Sequence, residues 1–283
     1  MNWIPVVLRS TLYALLQLII TPFYFLIVFA AFPLSRLNRY RITSGWAHLM
    51  LFLLTAVCGI RYRVLGKENI LPTPSIILSK HQSAWETIAF QQIFPPQVWV
   101  LKKELLLVPF FGWGLAMTNP IAIDRSSRKA ALKQIVEQGK DRLRQGFCIV
   151  IFPEGTRIAP GKRGKYGIGG AWLGTHTGAP VIPVAHNAGR FWGKNAFIKR
   201  PGTITVSIGA PIDPSDMEPG ELNAKVEAWI EAEVARIDNL HPDENPNPDQ
   251  TQEEPRREED CLPKDENEQT RGKRTAPYKP ERQ

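Results

Sequence analysis

A histidine and a glutamate separated by four residues, His81 and Glu86, are the first side chains whose types and spacing suit proton transfer. They follow the apolar stretch Ser75–Leu78, which predicts a strand, so His81 leaves this strand and Glu86 begins the next helix. One local turn can bring the carboxylate to the imidazole, keep the second ring nitrogen as an acceptor and stabilise the imidazolium that forms. Such a pair is typical of a general base for a hydroxyl nucleophile.

The same residues also fit a purely structural pattern. Ser83 and Glu86 ahead of an apolar stretch match a capping box, in which the glutamate satisfies the amino terminus of a helix. The two interpretations are compatible, because a cap is one way of fixing a carboxylate in place. Spacing alone leaves both open.

The second group of interest is Phe152-Pro153-Glu154-Gly155-Thr156-Arg157, at the end of a predicted apolar strand. Its backbone at glycine, its hydroxyl and its guanidinium are groups that recognise a phosphate. A tight turn with a surface arginine is the alternative. From Gly155 to Ile212 there is no Asp or Glu, which predicts a positive surface able to hold an acidic headgroup. The cations of that segment are Arg157, Lys162, Arg163, Lys165, Arg190, Lys194, Lys199 and Arg200.

The elements that must position these groups begin near residue 64, where short apolar runs alternate with amphipathic stretches. Helices are predicted between the strands, including residues 128–145 and a last helix over residues 222–237. The sequence therefore predicts an α/β domain over residues 64–240, with a mixed, largely parallel sheet flanked by helices. The predicted strands are Ser75–Leu78, Val98–Leu101, Phe147–Phe152, Val181–Ala185 and Thr203–Ile208.

Residues 1–63 are predicted to anchor the chain in a membrane. Ser10 to Ser35 is a run of 26 residues without charge, and roughly 20 helical residues cross a bilayer core. A second uncharged run, Ile42–Ile60, is weaker. Arginines flank both runs, so two full crossings fit the positive-inside preference poorly. We expect a helical hairpin, bent at Pro22 and Pro33, that enters one leaflet. The alternative is one spanning helix followed by a buried core helix.

The formal net charge of +8 conceals a division of the chain. Residues 241–283 hold 8 Lys/Arg against 12 Asp/Glu and contain seven prolines, so this tail is predicted to be disordered. Residues 1–240 carry 27 Lys/Arg against 15 Asp/Glu, which points to a polyanionic partner. Because the amino terminus is so apolar, we expect a phospholipid bilayer and no nucleic acid.

Several other classes of protein lack their motifs. A serine esterase carries G-x-S-x-G, but the nearest match, residues 174–178, has His176 at its centre and is predicted to end a short helix. Neither G-x4-G-K-[ST] nor G-x-G-x-x-G occurs, so no nucleotide cofactor is expected. The three cysteines are widely spaced and the remaining histidines form no ligand pattern, so no metal is expected either.

Four blocks, in this order over about residues 60–210, resemble those of the 1-acylglycerol-3-phosphate acyltransferases of the glycerolipid acyltransferase superfamily. His81 and Glu86 are similar to the H-x4-D block, with Glu where most members have Asp. Asn119–Arg125 resembles the second block, and Phe152–Arg157 is the family's F-P-E-G-T-R in full. Val181–Val184 is similar to the fourth.

The resemblance implies acyl transfer from acyl-CoA or acyl-carrier protein to the sn-2 hydroxyl of lysophosphatidic acid, without a cofactor or a covalent acyl-enzyme. It implies that His81 and Glu86 are catalytic. Lys102 or Lys103, in a stretch similar to the family's K-x-E-L, is a candidate donor to the thioester oxyanion, and Lys103 is the predicted substrate contact. The alternative is that both lysines only bind headgroups. The phosphate would be bound by Arg125, Glu154, Gly155, Thr156 and Arg157. The catalytic domain is expected on the cytoplasmic face of a membrane, namely a bacterial inner membrane.

Two alternatives stay open at this point. An acyltransferase of the same kind can accept another lysophospholipid or glycerol 3-phosphate. A non-enzymatic peripheral membrane protein would use the basic surface only to dock on anionic lipid.

Overall fold

The computed structural model describes residues 3–108, 111–124 and 126–240. The predicted disordered tail, residues 241–283, lies outside them. The helices are α1 (Trp3–Ala30), α2 (Arg36–Cys58), α3 (Trp85–Ile93), α4 (Phe111–Ala116), α5 (Arg128–Arg144), α6 (Gly169–Thr177) and α7 (Pro219–Leu240). The strands are β1 (Ile60–Leu65), β2 (Ile76–Ser79), β3 (Gln97–Lys102), β4 (Ile121–Ile123), β5 (Cys148–Ile151), β6 (Val181–His186) and β7 (Gly202–Ile208).

The strands form one sheet in the order β1-β7-β6-β2-β5-β3-β4. β6 and β7 pair antiparallel, and the other neighbouring strands pair parallel. The prediction of a mixed, largely parallel sheet flanked by helices is confirmed. Because β2, β5, β3 and β4 are adjacent and parallel, the loops that follow them share one edge of the sheet.

Two strands were not predicted from the sequence. β1 alternates apolar residues with Arg61 and Arg63, and it lies at the end of the sheet beside β7. It begins at Ile60, so the sheet starts inside the segment predicted as a membrane anchor. β4 has only three residues and pairs with β3 at the opposite end. Both lie at the edges of the sheet, where the apolar sequence pattern is weak.

Apolar side chains cover both faces of the sheet. On one face Leu54 of α2 and Phe90 of α3 pack with Ile77 and Val150 in a buried cluster. On the other face, residues of α5, α6 and α7 surround the opposite side chains of the same strands in a second cluster. The near-continuous apolar runs of β2 and β5, whose residues are all buried, follow from this double coverage.

The two amino-terminal helices form the predicted hairpin, with one correction. α1 continues through Pro22 to Ala30, and Pro33 lies in the link after the helix ends, so Pro33 does not bend it. α2 ends at a left-handed Gly59 with φ of 71°, which leads into β1. One face of α2 is buried at helical spacing, as the alternative with a core helix requires. The residues of that face are Tyr40, Ser44, Ala47, Met50, Leu51, Leu54 and Cys58.

Candidate active site

His81 and Glu86 lie side by side directly after β2. His81 is in the loop that follows Ser79, and Glu86 is in the first turn of α3. His81 Nδ1 is 2.8 Å from Glu86 Oε1, and the same oxygen accepts the backbone N–H groups of Gln82 at 2.9 Å and Ser83 at 2.8 Å. One carboxylate oxygen therefore serves both the helix terminus and the imidazole.

The carboxylate of Glu86 is ionised although it is fully buried. Burial alone raises the pKa of this group, but the electrostatic effect of His186 when its ring is charged, the hydrogen bond and charge of His81, and the Ser83 N–H bring the pKa below its usual value. An ionised Glu86 accepts a hydrogen bond from Nδ1–H of His81, so Nε2 is the ring nitrogen that keeps a lone pair. Among the described residues nothing hydrogen-bonds to this Nε2, and 14% of the His81 side chain is exposed.

His186, the last residue of β6, lies behind the pair. Its Nε2–H donates to the carbonyl of Lys80 at 2.9 Å, and its Nδ1 accepts the N–H of Ala188 at 3.3 Å. Desolvation by burial lowers the pKa of His186, so its ring is neutral. Its Nε2 is 3.9 Å from Glu86 Oε1. Glu86 therefore has a second imidazole beside it but no permanently charged cation there.

An aromatic row supports the His81 ring. The ring stacks on Phe152 with centroids 3.9 Å apart and planes 12° apart, and Phe152 stacks on Trp99 with centroids 5.7 Å apart. The stack fixes the plane of the imidazole while Glu86 fixes its rotation within that plane. Phe152 thus links the two predicted groups, since it begins the Phe152–Arg157 loop.

The Phe152–Arg157 loop lies beside His81 because β5 pairs with β2. The N–H of Gly155 donates to the carbonyl of Phe152 at 2.9 Å, and Gly155 adopts a φ of 65°, a left-handed conformation that favours glycine. Gly155 and Thr156 are exposed, and Arg157 is half-buried. The Ile158 N–H donates to the His81 carbonyl at 2.7 Å, which ties the end of the loop to the histidine.

Glu154 occupies a different place from its neighbours in the loop. Its side chain has no exposed surface. Oε1 is 2.8 Å from Lys80 Nζ and accepts the Gly164 N–H at 3.3 Å, while Oε2 accepts the backbone N–H of His81 at 3.0 Å. The carboxylate is thus occupied by internal partners. This position favours a role in holding the loop over the predicted role in contacting substrate.

The remaining predicted residues follow the next two strands. Lys103 comes directly after β3, and its ammonium pairs with Asp124, which follows β4. The hydrogen bond from Lys103 holds the pKa of Asp124 below its usual range and raises the pKa of Lys103. Arg125 lies outside the described residues. Within the described ranges no group of His, Cys, Asp and Glu side chains is arranged to hold a metal ion.

The cations of residues 155–212 do not form the single surface that we expected from the sequence. Arg163 pairs with Glu227 at 2.7 Å, and Arg190 pairs with Asp238 at 2.7 Å, so acidic residues of α7 neutralise both. Lys199 is buried, and its ammonium lies 4.8 Å from the ring centroid of Trp192. Acidic residues of α7, outside the acid-free segment, thus neutralise two of its cations, and a third cation is buried.

Sequence reasoning missed Lys80 and His186 as neighbours of the site. Lys80 bonds to partners 74 and 151 positions away, so no local pattern indicates that this lysine is buried. His186 gives a weak signal, because it directly follows the strongly apolar predicted strand Val181–Ala185. A histidine at the carboxyl end of such a strand can lie at the same sheet edge as His81.

The fold places a histidine–glutamate pair and an arginine-bearing loop together at the carboxyl edge of a largely parallel sheet, an arrangement typical of α/β enzymes. A family model described as Acyltransferase matches residues 61–187, which include both groups. A 1-acyl-sn-glycerol-3-phosphate acyltransferase of Pseudomonas aeruginosa is 49% identical over 203 residues, which cover 70% of this chain and 79% of the relative. The chain belongs to the 1-acyl-sn-glycerol-3-phosphate acyltransferase family.

One more distant relative and one solved structure are also similar to this chain. A 1-acyl-sn-glycerol-3-phosphate acyltransferase of Cocos nucifera is 27% identical over 233 residues, which cover 80% of this chain and 74% of the relative. The crystal structure of the 1-acyl-sn-glycerophosphate acyltransferase of Thermotoga maritima matches with a TM-score of 0.65 at 22% identity. The match covers 82% of this chain and 94% of the other, and it shows a shared fold.

Proposed function

We propose that the protein transfers an acyl group from acyl-CoA or acyl-carrier protein to the sn-2 hydroxyl of 1-acylglycerol-3-phosphate, giving phosphatidic acid. The observation that carries the proposal is the contact of 2.8 Å between His81 Nδ1 and Glu86 Oε1, which leaves Nε2 as the base. The relatives reported above are named as acyltransferases of 1-acyl-sn-glycerol-3-phosphate, which supports this acceptor. A lysophosphatidic acid needs a base for its hydroxyl and cations for its phosphate, and the site offers both.

In the proposed reaction, His81 Nε2 takes the proton as the hydroxyl oxygen attacks the thioester carbonyl. A carbon–oxygen bond forms, and the carbonyl oxygen becomes negative. When the intermediate collapses, the carbon–sulfur bond breaks and the imidazolium returns its proton to the departing thiolate. The products are phosphatidic acid and a free thiol, with no acyl group left on the protein. Glu86 stabilises the imidazolium, and such general-base help contributes about 10²- to 10⁴-fold in rate.

Arg157 is the proposed phosphate ligand. Among the described residues no carboxylate forms an ion pair with it, and its side chain keeps contact with solvent. Its guanidinium can bind a phosphate through two parallel hydrogen bonds. Arg125 and Lys103 stay predicted contacts. Lys103 would have to exchange its partner Asp124 for the substrate, so its contribution to binding is expected to be smaller than that of Arg157.

The activity assay uses purified protein in detergent with a panel of acceptors: lysophosphatidic acid, other lysophospholipids and glycerol 3-phosphate. Each acceptor is tested with acyl-CoA and with acyl-carrier protein. We expect turnover with lysophosphatidic acid, and we expect His81→Ala to lower it at least about 10²-fold while vesicle binding persists. Vesicle binding without turnover on any acceptor would support the non-enzymatic alternative, and full activity of His81→Ala would remove this residue from the mechanism.

The packing of α2 supports a hairpin that stays on one side of the bilayer. Near its start, Tyr40 packs edge-on against Phe147 with centroids 5.9 Å apart, and Arg36 lies 3.8 Å from Asp141 of α5. At its end, Cys58 is buried next to β1. Both ends of α2 thus contact the α/β domain, so α2 lies along this domain. A crossing helix would separate its two ends by the thickness of the membrane.

α1 then provides the surface that enters the lipid. It packs on α2, where the Tyr24 hydroxyl donates to the Ile42 carbonyl at 2.6 Å. Its outer face exposes a row of large apolar side chains, including Leu18, Phe23 and Leu26, of which 71%, 67% and 63% are exposed. A patch of this kind marks a membrane or protein contact. We propose that α1 lies in the cytoplasmic leaflet, with the α/β domain on the cytoplasmic face.

A pair of substitutions tests this placement. Leu18→Glu with Leu26→Glu should release the protein from anionic vesicles without lowering its thermal stability, because neither side chain is buried. The matched control is Glu221→Gln with Glu218→Gln, which alters exposed charges on and before α7 and should not affect vesicle binding. Labelling of a cysteine introduced at Phe32 from the periplasmic side of intact cells would contradict the one-leaflet hairpin.

A further inference from the structure

The ammonium group of Lys80 lies in a buried network that no step of the proposed reaction uses. Lys80 immediately precedes His81, and only 1% of its side chain is exposed. Its Nζ is 2.8 Å from Glu154 Oε1, 2.8 Å from Glu231 Oε1 and 3.4 Å from the carbonyl oxygen of Lys162. Three acceptors thus match the three N–H groups of the ammonium, and the charge is held in one place.

Glu154 connects the Lys80 ammonium to the backbone of His81. Its Oε1 is bound to Lys80, which leaves Oε2 to accept the backbone N–H of His81 at 3.0 Å. The His81 carbonyl is held as well, by the N–H of Ile158 at 2.7 Å. Both backbone groups of His81 are therefore fixed by the segment that also carries Arg157. The segment from Glu154 to Ile158 therefore both fixes the backbone of His81, the proposed base, and carries Arg157, the proposed phosphate ligand.

Glu231 connects this buried network to the last helix. Its Oε1 accepts the Lys80 ammonium and also the Tyr166 hydroxyl, at 2.7 Å. One turn earlier on α7, Glu227 pairs with Arg163, whose side chain is 63% exposed. The two glutamates lie on one face of α7, but only Glu231 reaches the buried lysine. The chain thus offers a matched pair of half-buried carboxylates: one binds the buried lysine, and the other binds an exposed arginine.

We propose that Lys80 and Glu231 are positioning residues for the acyl transfer: they hold Glu154 so that its carboxylate fixes the backbone of His81. This inference rests on the proposed function. Without the ammonium, the carboxylates of Glu154 and Glu231 repel each other in a buried place, so one of them must move or take up a proton. The His81 backbone then loses its anchor. A misplacement of about 1 Å at a reacting group costs about 10²-fold in rate.

The first measurement compares three variants by kcat and KM for lysophosphatidic acid. Lys80→Met keeps the length of the side chain and removes the charge, and we expect kcat to fall about 10²-fold. Glu231→Gln keeps an acceptor oxygen for Lys80 and Tyr166, so a fall of only about tenfold is expected. Glu227→Gln, the control outside the network, should leave both constants at the wild-type level.

The second measurement separates positioning from a general loss of structure. If Lys80 acts through His81, Lys80→Met should have no further effect in a His81→Ala background. If Lys80→Met only lowers the fraction of folded protein, the fold-losses in kcat of the two single variants multiply in the double variant. That result would overturn the inference. Should Lys80→Met fail to fold, the same cycle is run with Glu231→Gln. Wild-type kcat for Glu231→Gln would also overturn it, whereas an inactive wild type would instead contradict the proposed function.

Discussion

Two buried carboxylates hold His81, and they differ in what lies around them. Glu86 binds the ring, and its neighbours are backbone N–H groups and the neutral His186. Its Oε2 is buried without a hydrogen-bond partner among the described residues. Glu154 binds the backbone of His81 and has a permanent cation, Lys80, at 2.8 Å. One region fixes the ring of the histidine, and the other fixes its main chain.

In the proposed reaction, the charge of Glu86 would stabilise the imidazolium of His81, whereas the charge of Glu154 already has a cation as its partner in the resting protein. The charge of Glu154 is already compensated by Lys80, so it has little to add when His81 takes a proton. The charge of Glu86 has no permanent cation nearby and gains one only when the imidazolium forms. We therefore expect the charge of Glu86 to govern the rate of proton transfer, and that of Glu154 to govern stability and position.

Neutralising Glu86 should have the largest effect. Glu86→Gln removes the charge that stabilises the imidazolium, and we expect kcat to fall about 10²- to 10⁴-fold. Glu86→Asp is the matched control, because it keeps the charge on a shorter side chain and should retain more activity than Glu86→Gln. The check is a steady-state assay together with thermal unfolding. Equal activity of the Gln and Asp variants would show that the charge does not matter.

Replacing Glu154 by glutamine should mainly lower the stability of the folded protein. An amide at this position turns a donor towards either His81 N–H or the Lys80 ammonium, so one buried hydrogen bond is lost. We expect Glu154→Gln to lower the free energy of unfolding by about 1–3 kcal/mol, with a smaller fall in kcat than for Glu86→Gln. Denaturant titration and the activity assay measure the two effects. A larger loss of kcat at Glu154 than at Glu86 would reverse the comparison.

Lowering the pH should reduce the difference between the surroundings of Glu86 and those of Glu154, because a protonated His186 is a cation beside Glu86. The pKa of His186 is lowered in the folded protein, whereas the unfolded chain has the ordinary value of about 6.5. The unfolded state thus binds more protons below that value, and stability is lost as the pH falls from about 6.5 towards the folded pKa. The loss is at most about 1.4 kcal/mol per pH unit for this group.

The measurement for His186 is denaturant unfolding in detergent at pH 7 and pH 5. His186→Gln keeps polar atoms near Lys80 and Ala188 and cannot take up a proton, so its stability should depend less on pH over this interval. His176→Gln, at an exposed histidine on α6, is the matched control and should behave as the wild type does. An unchanged pH dependence in His186→Gln would show that other groups cause it.

A contact in the site could be predicted from the sequence when its two residues are close together along the chain, and it was missed when they are far apart. His81 and Glu86 meet within one turn, so their spacing alone indicated the contact. The alternation of apolar runs placed Phe152–Arg157 at the end of a strand, and the pairing of β5 with β2 then brings it to His81. Lys80 and Glu231 meet only because α7 packs on the far side of this edge, and no local pattern contains that information.

Errors in the predicted fold have a similar cause, because they also depend on neighbours that the local pattern does not contain. Strands covered on both faces, such as β2 and β5, are continuous apolar runs and were predicted within a residue or two. β1 was missed because its arginines interrupt the apolar pattern, which an edge strand tolerates. The acid-free segment looked like one positive surface because the partners of Arg163 and Arg190 lie on α7, more than 40 residues later.

Removing the aromatic support of the ring should have the smallest effect. Phe152 stacks on His81 with centroids 3.9 Å apart but carries no charge and makes no hydrogen bond to it. A stacked pair contributes about 0.5–1.5 kcal/mol, so Phe152→Leu should lower kcat about 2- to 10-fold. Phe152→Tyr keeps an aromatic ring and should stay close to the wild type. Glu86 still binds Nδ1 of His81 in both variants, so the pH dependence of kcat should be unchanged. A shifted pH profile in Phe152→Leu would contradict this expectation, because it would show that the stacking of Phe152 also affects proton transfer.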